Sequence, residues 1–331
     1  MKKILNDPYR YVDELLDGMV LAHPQFYRKV GDGRVIARPG TPRAGKVGVV
    51  SGGGSGHLPV FTGYVGPGLL DACAVGDVFS SPSADQMADA IRAANAGAGV
   101  LRLYGNYGGD IMNFDMAGDI VEMEDIRTTT VILADDVASA PTAEAEKRRG
   151  VAGMVYAFKI AGAAAEAGLD LDGVTAVAQA AADACRSVGV ALSPCVVPLA
   201  GKPTFEIADS DMEIGMGIHG EPGVRRGKLR PADEIADEIL DMLFADRPVE
   251  RGERLSPMVN SLGATPPEEL YILYRRVKAR IEDAGGTIVM PLVGRYATSM
   301  EMAGVSFTLC RLTGQLEGYL AAPAECAFWR V

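Results

Sequence analysis

The sequence is short of cysteine, of positive charge and of long apolar runs, and each shortage excludes a class of protein. The five cysteines are scattered, odd in number and without a CxxC pair, which argues against a disulfide framework or a structural zinc site. Lysine and arginine number 32 against 43 acidic residues, a net charge of −11, and the basic residues form no stripe. Nucleic acid is therefore not an expected partner.

No stretch approaches the roughly 20 consecutive apolar residues that a membrane span needs. The first residues contain an acid and a proline before any run suited to a signal peptide. We therefore expect a cytoplasmic protein with no membrane contact. Apolar residues make up 48% and charged residues 23% of the 331 residues, as in ordinary soluble globular proteins. This length allows one large domain or two ordinary ones, and we expect two.

Residues 1–188 alternate short β-rich runs with helical segments. Strands are expected at 46–50, 72–75, 99–104 and 129–134, and helices at 84–96, 110–124 and 153–167. This alternation predicts an α/β domain whose mixed or parallel sheet is covered by helices.

Residues 189–331 predict a smaller α+β domain. Its expected elements are helices at 233–244 and from Pro267 to about 284, and strands at 258–262, 287–293 and 305–311. Thr265 is expected to start the second helix through a capping box. The boundary is placed at residue 188 because a helical segment is expected to end at Gly189.

The 40 glycines cluster around particular polar residues. The first cluster, Ser51–His57, directly follows the expected strand 46–50, where glycines let backbone N–H groups approach a ligand. It fits neither the GxxxxGK[ST] nor the GxGxxG nucleotide motif. A tight strand-to-helix turn is the purely structural alternative.

The second cluster, Asn106–Asp110, follows the expected strand 99–104. Asp110 on its own suits a helix N-cap, which is a structural role. Both clusters, however, come at the carboxyl ends of strands, where ligands gather in open α/β sheets. This placement favours a functional role for both.

The third cluster, Gly215–Gly223, surrounds His219, one of only three histidines. So many glycines cannot pack a histidine as an ordinary core residue. A transition metal on His219 with Glu213 or Glu221 would lack a second histidine, and no acidic cluster suggests magnesium, so no metal is expected. The imidazole is suited to accept a proton or to attack an electrophilic carbonyl.

Together these clusters resemble the substrate-binding subunits of the dihydroxyacetone kinases, and the match runs along nearly the whole chain. Further matching segments are Gly76–Pro82, Ala134–Ala138, Arg148–Gly153, Ala200–Pro203 and Asn260–Pro266. The resemblance implies a homodimeric subunit in which His219 forms a hemiaminal with the ketone carbon of a short ketose. On that basis residues 1–188 are the ketose-binding domain and 189–331 carry the substrate-binding histidine.

By the same resemblance, His57 and Asp110 handle the proton of the attacking hydroxyl, while Gly54, Ser55 and Gly56 line the pocket with backbone donors. The chain shows no phosphate-binding loop for ATP, so no cofactor is expected on it. Mg-ADP or Mg-ATP is expected on a nucleotide-binding L-type partner subunit. A phosphotransferase-system subunit is an alternative source of the phosphoryl group.

Two positions depart from the family pattern. Gly105 stands where the family commonly has lysine, and Leu58 stands where it commonly has glutamate. Both changes remove a charged side chain at or beside the expected pocket. We therefore hypothesise that the substrate is not dihydroxyacetone but a larger ketose such as four-carbon erythrulose.

Two other functions are compatible with parts of this pattern. The family also resembles non-catalytic ketose sensors that act as transcriptional co-activators. The presence of both His57 and Asp110 favours the enzyme, because a sensor needs only His219. A nucleotide-dependent oxidoreductase fits the alternating first half but lacks the glycine fingerprint.

Overall fold

The computed structural model describes residues 2–331, whose strands form a six-stranded and a seven-stranded sheet. The strands are β1 (Arg28–Val30), β2 (Val35–Ala37), β3 (Gly48–Ser55), β4 (Ala72–Val78), β5 (Val100–Gly105), β6 (Thr128–Leu133), β7 (Cys185–Ala191), β8 (Asp211–Ile214), β9 (Arg225–Lys228), β10 (Arg254–Ser261), β11 (Thr287–Ile288), β12 (Leu292–Gly294) and β13 (Gly304–Arg311). The α-helices are α1 (Tyr11–Ala22), α2 (Ala84–Ala94), α3 (Gly108–Glu122), α4 (Gly153–Glu166), α5 (Leu171–Ala184), α6 (Ala232–Asp246), α7 (Pro267–Asp283) and α8 (Gly314–Ala321).

The first sheet has the order β1-β2-β4-β3-β5-β6, in which the four strands from β4 to β6 run parallel and β1 and β2 form an antiparallel edge. The second has the order β11-β10-β13-β7-β8-β9 and is mainly antiparallel, although β11 and β12 run parallel to β10. The expected α/β fold class is confirmed.

Helices and sheets stack in alternating layers. Helices α2 and α3 cover one face of the first sheet, and α6 and α7 cover the outer face of the second. Helix α4 lies between the sheets and contacts both, with α5 and α8 beside it. Because α4 meets protein on all sides, its residues from Gly153 to Ala165 are buried. None of the helices described here has both the length and the apolar composition needed to cross a bilayer.

Four local expectations were wrong. Residues 51–55 belong to strand β3, because β4 and β5 supply its backbone partners on both sides. Residues 185–188 are not helical but begin β7, which pairs with β13 along its whole length, so the proposed boundary at 188 falls inside a strand. The expected strand 287–293 is interrupted at Met290, whose φ is +46°. Thr265 forms no capping box, since its hydroxyl bonds with Gly304.

Asp135, just beyond the end of β6, joins the two sheets. Its carboxylate accepts hydrogen bonds from the N–H groups of Val151 and Gly153 at 2.9 and 2.8 Å, and from the hydroxyl of Ser187 in β7 at 2.5 Å. The backbone N–H of Ser187 also donates to the Asp135 carbonyl oxygen. One buried side chain therefore holds β6, the start of α4 and β7 together.

We expect Asp135→Asn to lower the free energy of unfolding by about 2–4 kcal/mol, since the new amide N–H must face a buried N–H donor. Urea denaturation followed by circular dichroism measures this change. Asp172→Asn removes an exposed partner of Arg127 and serves as the control, with an expected loss below about 1 kcal/mol. Equal losses in the two variants would contradict the role assigned to Asp135.

Candidate active site

Three neighbouring parallel strands of the first sheet end at one edge, and each is followed by polar or aromatic residues. His57 follows β3, Phe79 and Ser81 follow β4, and Tyr107 and Asp110 follow β5. The carboxyl ends of parallel strands are where ligands bind in open α/β sheets. This edge forms one wall of the candidate site.

The three small residues expected to line the pocket lie at the end of β3. Gly54 and Ser55 are its last residues, and Gly56 follows. A Cβ atom on Gly54 would lie 2.8 Å from the Cα atom of Phe79, so only glycine allows this approach. The Ser55 hydroxyl donates to the Gly76 carbonyl oxygen at 3.0 Å, which ties β3 to β4.

His57 is almost fully buried, with 1% of its surface exposed. Its Nδ1 lies 2.7 Å from the carbonyl oxygen of Thr298, which can only accept, so Nδ1 carries the proton. Nε2 is therefore the lone-pair nitrogen, and it has no protein partner among residues 2–331. Burial, aided by the charge of His219, lowers the pKa of His57 to about 3. This imidazole is neutral at physiological pH.

His219 comes from the second sheet, in the connection between β8 and β9. Its backbone N–H donates to Oε2 of Glu221 and its Nδ1–H donates to Oε1, both at 2.9 Å. Burial raises the pKa of Glu221, but the hydrogen bond from His219 and the charge of its protonated ring outweigh burial and bring it to about 2. In the neutral ring the Nδ1 proton points at Glu221, so the lone pair lies on Nε2. The His219 side chain is 25% exposed and so can be reached by a ligand.

Aromatic rings from the strand ends of the first sheet surround His219, which comes from the second sheet. The ring centroids of His57 and Tyr107 each lie 4.9 Å from that of His219, at steep interplanar angles. Phe79 stacks on His57 at 4.9 Å and meets the edge of His219 at 5.4 Å. His219 is thus held against the strand ends of the first sheet.

Asp110 lies in the first turn of α3 and is 5% exposed. Burial raises its pKa to about 6, against the opposing effects of a hydrogen bond with Ser81 and the charge of His219. Its Oδ1 is buried without a protein partner in the described chain. Asp110 can therefore exchange a proton near neutral pH. Of the expected site residues, His57 and Asp110 follow strands of the first sheet, and His219 of the second sheet lies against His57.

Across residues 2–331, no group of three or more histidine, cysteine, aspartate or glutamate side chains is arranged to hold an ion. Glu213, one of the carboxylates considered with His219, instead pairs with Arg226 and accepts the backbone N–H of Gly223. Its carboxylate thus closes the β8–β9 connection.

The two positions that depart from the family pattern differ in their surroundings. Gly105 ends β5, and a Cβ atom there would lie 3.2–3.3 Å from Gly150, Met154 and the Tyr107 ring. The side chain of Leu58 packs on the apolar core, and its carbonyl oxygen accepts a hydrogen bond from the hydroxyl of Thr298. Gly105 is thus next to a ring that touches His219, whereas Leu58 faces the core.

Sequence reasoning gave no role to Phe79, Tyr107 and Thr298, and considered Glu221 only as a metal ligand. Phe79 directly follows β4, which was predicted as a strand. Because β4 lies beside β3 and runs parallel to it, a residue just beyond its end could have been expected near His57. Thr298 carried no such signal, because its contact with His57 spans 241 residues of sequence and depends on packing between the sheets.

The fold and site define a two-sheet α/β protein in which two histidines, His57 and His219, lie side by side at the carboxyl ends of the parallel strands. The chain belongs to the Dak1 family, since the Dak1 domain model matches residues 17–328. The expected resemblance to the substrate-binding subunits of dihydroxyacetone kinases is confirmed.

Curated relatives have two kinds of architecture. The chain is 44% identical to the dihydroxyacetone-binding subunit DhaK of a PTS-dependent dihydroxyacetone kinase from Listeria innocua, over 99% of this chain and 100% of the relative. It is 46% identical to a D-erythrulose kinase from Mycolicibacterium smegmatis, over 98% of this chain but 56% of the relative. The chain thus matches a whole separate subunit and about half of a longer kinase.

Solved structures agree with this assignment. The dihydroxyacetone kinase of C. freundii superposes with a TM-score of 0.89 at 32% identity, covering 99% of this chain and 60% of that one. A dihydroxyacetone kinase operon co-activator superposes with a TM-score of 0.88 at 33% identity, covering 94% and 96%. This fold is therefore found in a dihydroxyacetone kinase and in an operon co-activator.

Proposed function

We propose that this chain is the ketose-binding subunit of a dihydroxyacetone-kinase-type enzyme and that it holds its substrate covalently on His219. The observation that supports this most directly is the hydrogen bond from Nδ1 of His219 to Glu221, which leaves Nε2 as a nucleophile. Two buried atoms, Nε2 of His57 and Oδ1 of Asp110, also lack protein partners in the described chain. The hydroxyl groups of a bound sugar would satisfy both.

The proposed capture is an addition. Nε2 of His219 forms a bond with the ketone carbon while the C=O π electrons move to oxygen. The proton that the ring gives up from Nδ1 passes through Glu221 and solvent water to the new alkoxide oxygen, so every atom of the ketone and the imidazole stays in the adduct. A polyol lacks the carbonyl and cannot form this bond, which makes capture selective for ketoses.

Phosphoryl transfer then needs a base for the attacking hydroxyl. A base works best when its pKa lies near the working pH. Asp110, with a pKa near 6, fits this requirement better than His57, with a pKa near 3. In this scheme Asp110 removes the proton, and His57 holds the sugar as a neutral hydrogen-bond acceptor.

The phosphoryl group comes from another protein in this proposal. A C. freundii dihydroxyacetone kinase was solved with AMP-PNP and Mg²⁺, and the present chain covers 61% of it. We assign Mg-ADP or Mg-ATP to a partner subunit of the L type, with a phosphotransferase-system subunit as donor where the system is of that kind. A homodimer in the cytoplasm is the setting that the family resemblance implies.

A ketose sensor is the second candidate, because a co-activator shares this fold. Capture by His219 would serve a sensor equally well. The buried Asp110, with its pKa raised toward neutral, favours the enzyme because a sensor has no use for a base.

We expect His219→Ala to abolish covalent capture. When a ketose labelled with ¹³C at the keto carbon is added to the parent protein, its NMR signal should move from the ketone to the tetrahedral region. The variant should show only the free ketone, and His23→Ala, which changes a histidine at the end of α1, should behave like the parent. Capture by the His219→Ala protein would refute the assigned chemistry.

We expect Asp110→Asn to lower kcat by about 10²–10⁴-fold with little change in KM, measured with the partner subunit and ATP. Because a base must be ionised, the parent's kcat should rise with pH through about 6, the pKa of Asp110. This inflection should vanish in the variant. An unchanged pH profile would transfer the role of base to another group.

The substrate is proposed to be a four-carbon ketose, because Gly105 puts no charged side chain beside Tyr107. A panel of dihydroxyacetone and both erythrulose enantiomers should give the highest kcat/KM for an erythrulose. Gly105→Lys should shift the preference back toward dihydroxyacetone. If dihydroxyacetone clearly outperforms both erythruloses with the parent protein, the proposal fails.

A further inference from the structure

Arg149 lies between β6 and α4, outside the group of residues assigned to the site. Its side chain is 15% exposed and is anchored on Asp136, whose Oδ2 accepts Nε–H at 2.9 Å and lies 2.8 Å from Nη2. Asp136 directly follows Asp135, the residue that joins the sheets. The guanidinium is therefore held in place by a residue that lies just beyond β6, the edge strand of the first sheet.

From that anchor the guanidinium reaches into the loop that carries His219. Nη2 donates to the carbonyl oxygen of Gly215 at 2.8 Å, and Nη1 lies 4.0 Å from Oε2 of Glu221. A Cβ atom on Gly217 would lie 2.4 Å from Nη1, so the loop closes tightly around the cation.

We propose that Arg149 is a positioning residue for covalent capture, which fixes the β8–β9 loop and the Glu221 carboxylate so that His219 presents Nε2 to the ketone. The inference rests on the proposed function, because positioning matters only if His219 forms the bond. Arg149 acts through Glu221 and the loop backbone and does not itself contact the imidazole.

The loop needs a support of this kind because its own sequence gives little rigidity. Gly215 and Gly220 have φ values of +80° and +86°, and Gly217 lies between them. Glycines allow many backbone conformations, so an external contact must select one. An arginine suits the task because its planar group can bond two acceptors in fixed directions, which lysine cannot do.

The carboxylate of Glu221 also benefits from a nearby cation. Glu221 is partly buried, and burial disfavours its charge. A cation 4.0 Å away favours the ionised form, which is the form that accepts the Nδ1 proton of His219. Without Arg149, the position of this carboxylate would be less well defined.

The test compares Arg149→Met and Arg149→Lys with the control Arg38→Met. Arg38 is likewise a partly buried arginine between two carboxylates, Asp71 and Glu166, but it belongs to another part of the molecule. The apparent dissociation constant of the ¹³C-ketose adduct is measured by NMR, and the melting temperature by circular dichroism. Both Met variants should melt at lower temperature than the parent.

We expect the dissociation constant to rise roughly tenfold or more in Arg149→Met, to rise less in Arg149→Lys, and to stay unchanged in Arg38→Met. A folded Arg149→Met protein that captures the ketose as tightly as the parent would overturn the inference. If that variant does not fold, Asp136→Ala, which removes the anchoring carboxylate and leaves the arginine, supplies the same comparison. Absence of an adduct in the parent protein would instead overturn the proposed function itself.

Discussion

The chemistry proposed for this site depends on the hydrogen bond between Nδ1 of His219 and the carboxylate of Glu221. An imidazole has two nitrogens, and only the one without a proton can attack a carbon. In the proposed capture, the hydrogen bond that Nδ1 donates to Glu221 leaves Nε2 as that nitrogen. The same carboxylate accepts the backbone N–H of His219, so the tautomer and the backbone geometry are set by one side chain.

This hydrogen bond is effective only because two sheets hold its surroundings in place. His219 lies on a loop of the second sheet, whereas the aromatic rings that contact it follow β4 and β5 of the first. Asp135 joins the sheets at the end of β6 through Ser187 of β7. The candidate site is thus formed by residues of both sheets, and neither sheet contains it alone.

The sequence was sufficient to predict that His57 and Asp110 lie at one edge of the first sheet. It was insufficient to predict that His219 of the second sheet lies against His57. Glycine clusters before His57 and Asp110 follow predicted strands, and parallel strands place such residues at one edge, so local pattern was enough. The closeness of His219 to His57 depends on β7 pairing with β13, more than a hundred residues later. Residues 185–188 show the same limit, since a segment expected to be helical became strand through that pairing. Propensity is a local quantity and cannot report a partner so distant in sequence.

Burial shifts the pKa values of His57 and Asp110 in opposite directions, and both shifts favour the neutral form of the side chain. It disfavours the protonated form of the imidazole and the ionised form of the carboxyl group, which lowers one pKa to about 3 and raises the other to about 6. In the proposed mechanism, a sugar hydroxyl would meet one neutral acceptor, His57, and one base, Asp110, whose pKa lies near physiological pH. Because both side chains are buried just beyond the adjacent strands β3 and β5, the opposite directions of their pKa shifts follow from the opposite charges of their ionised forms.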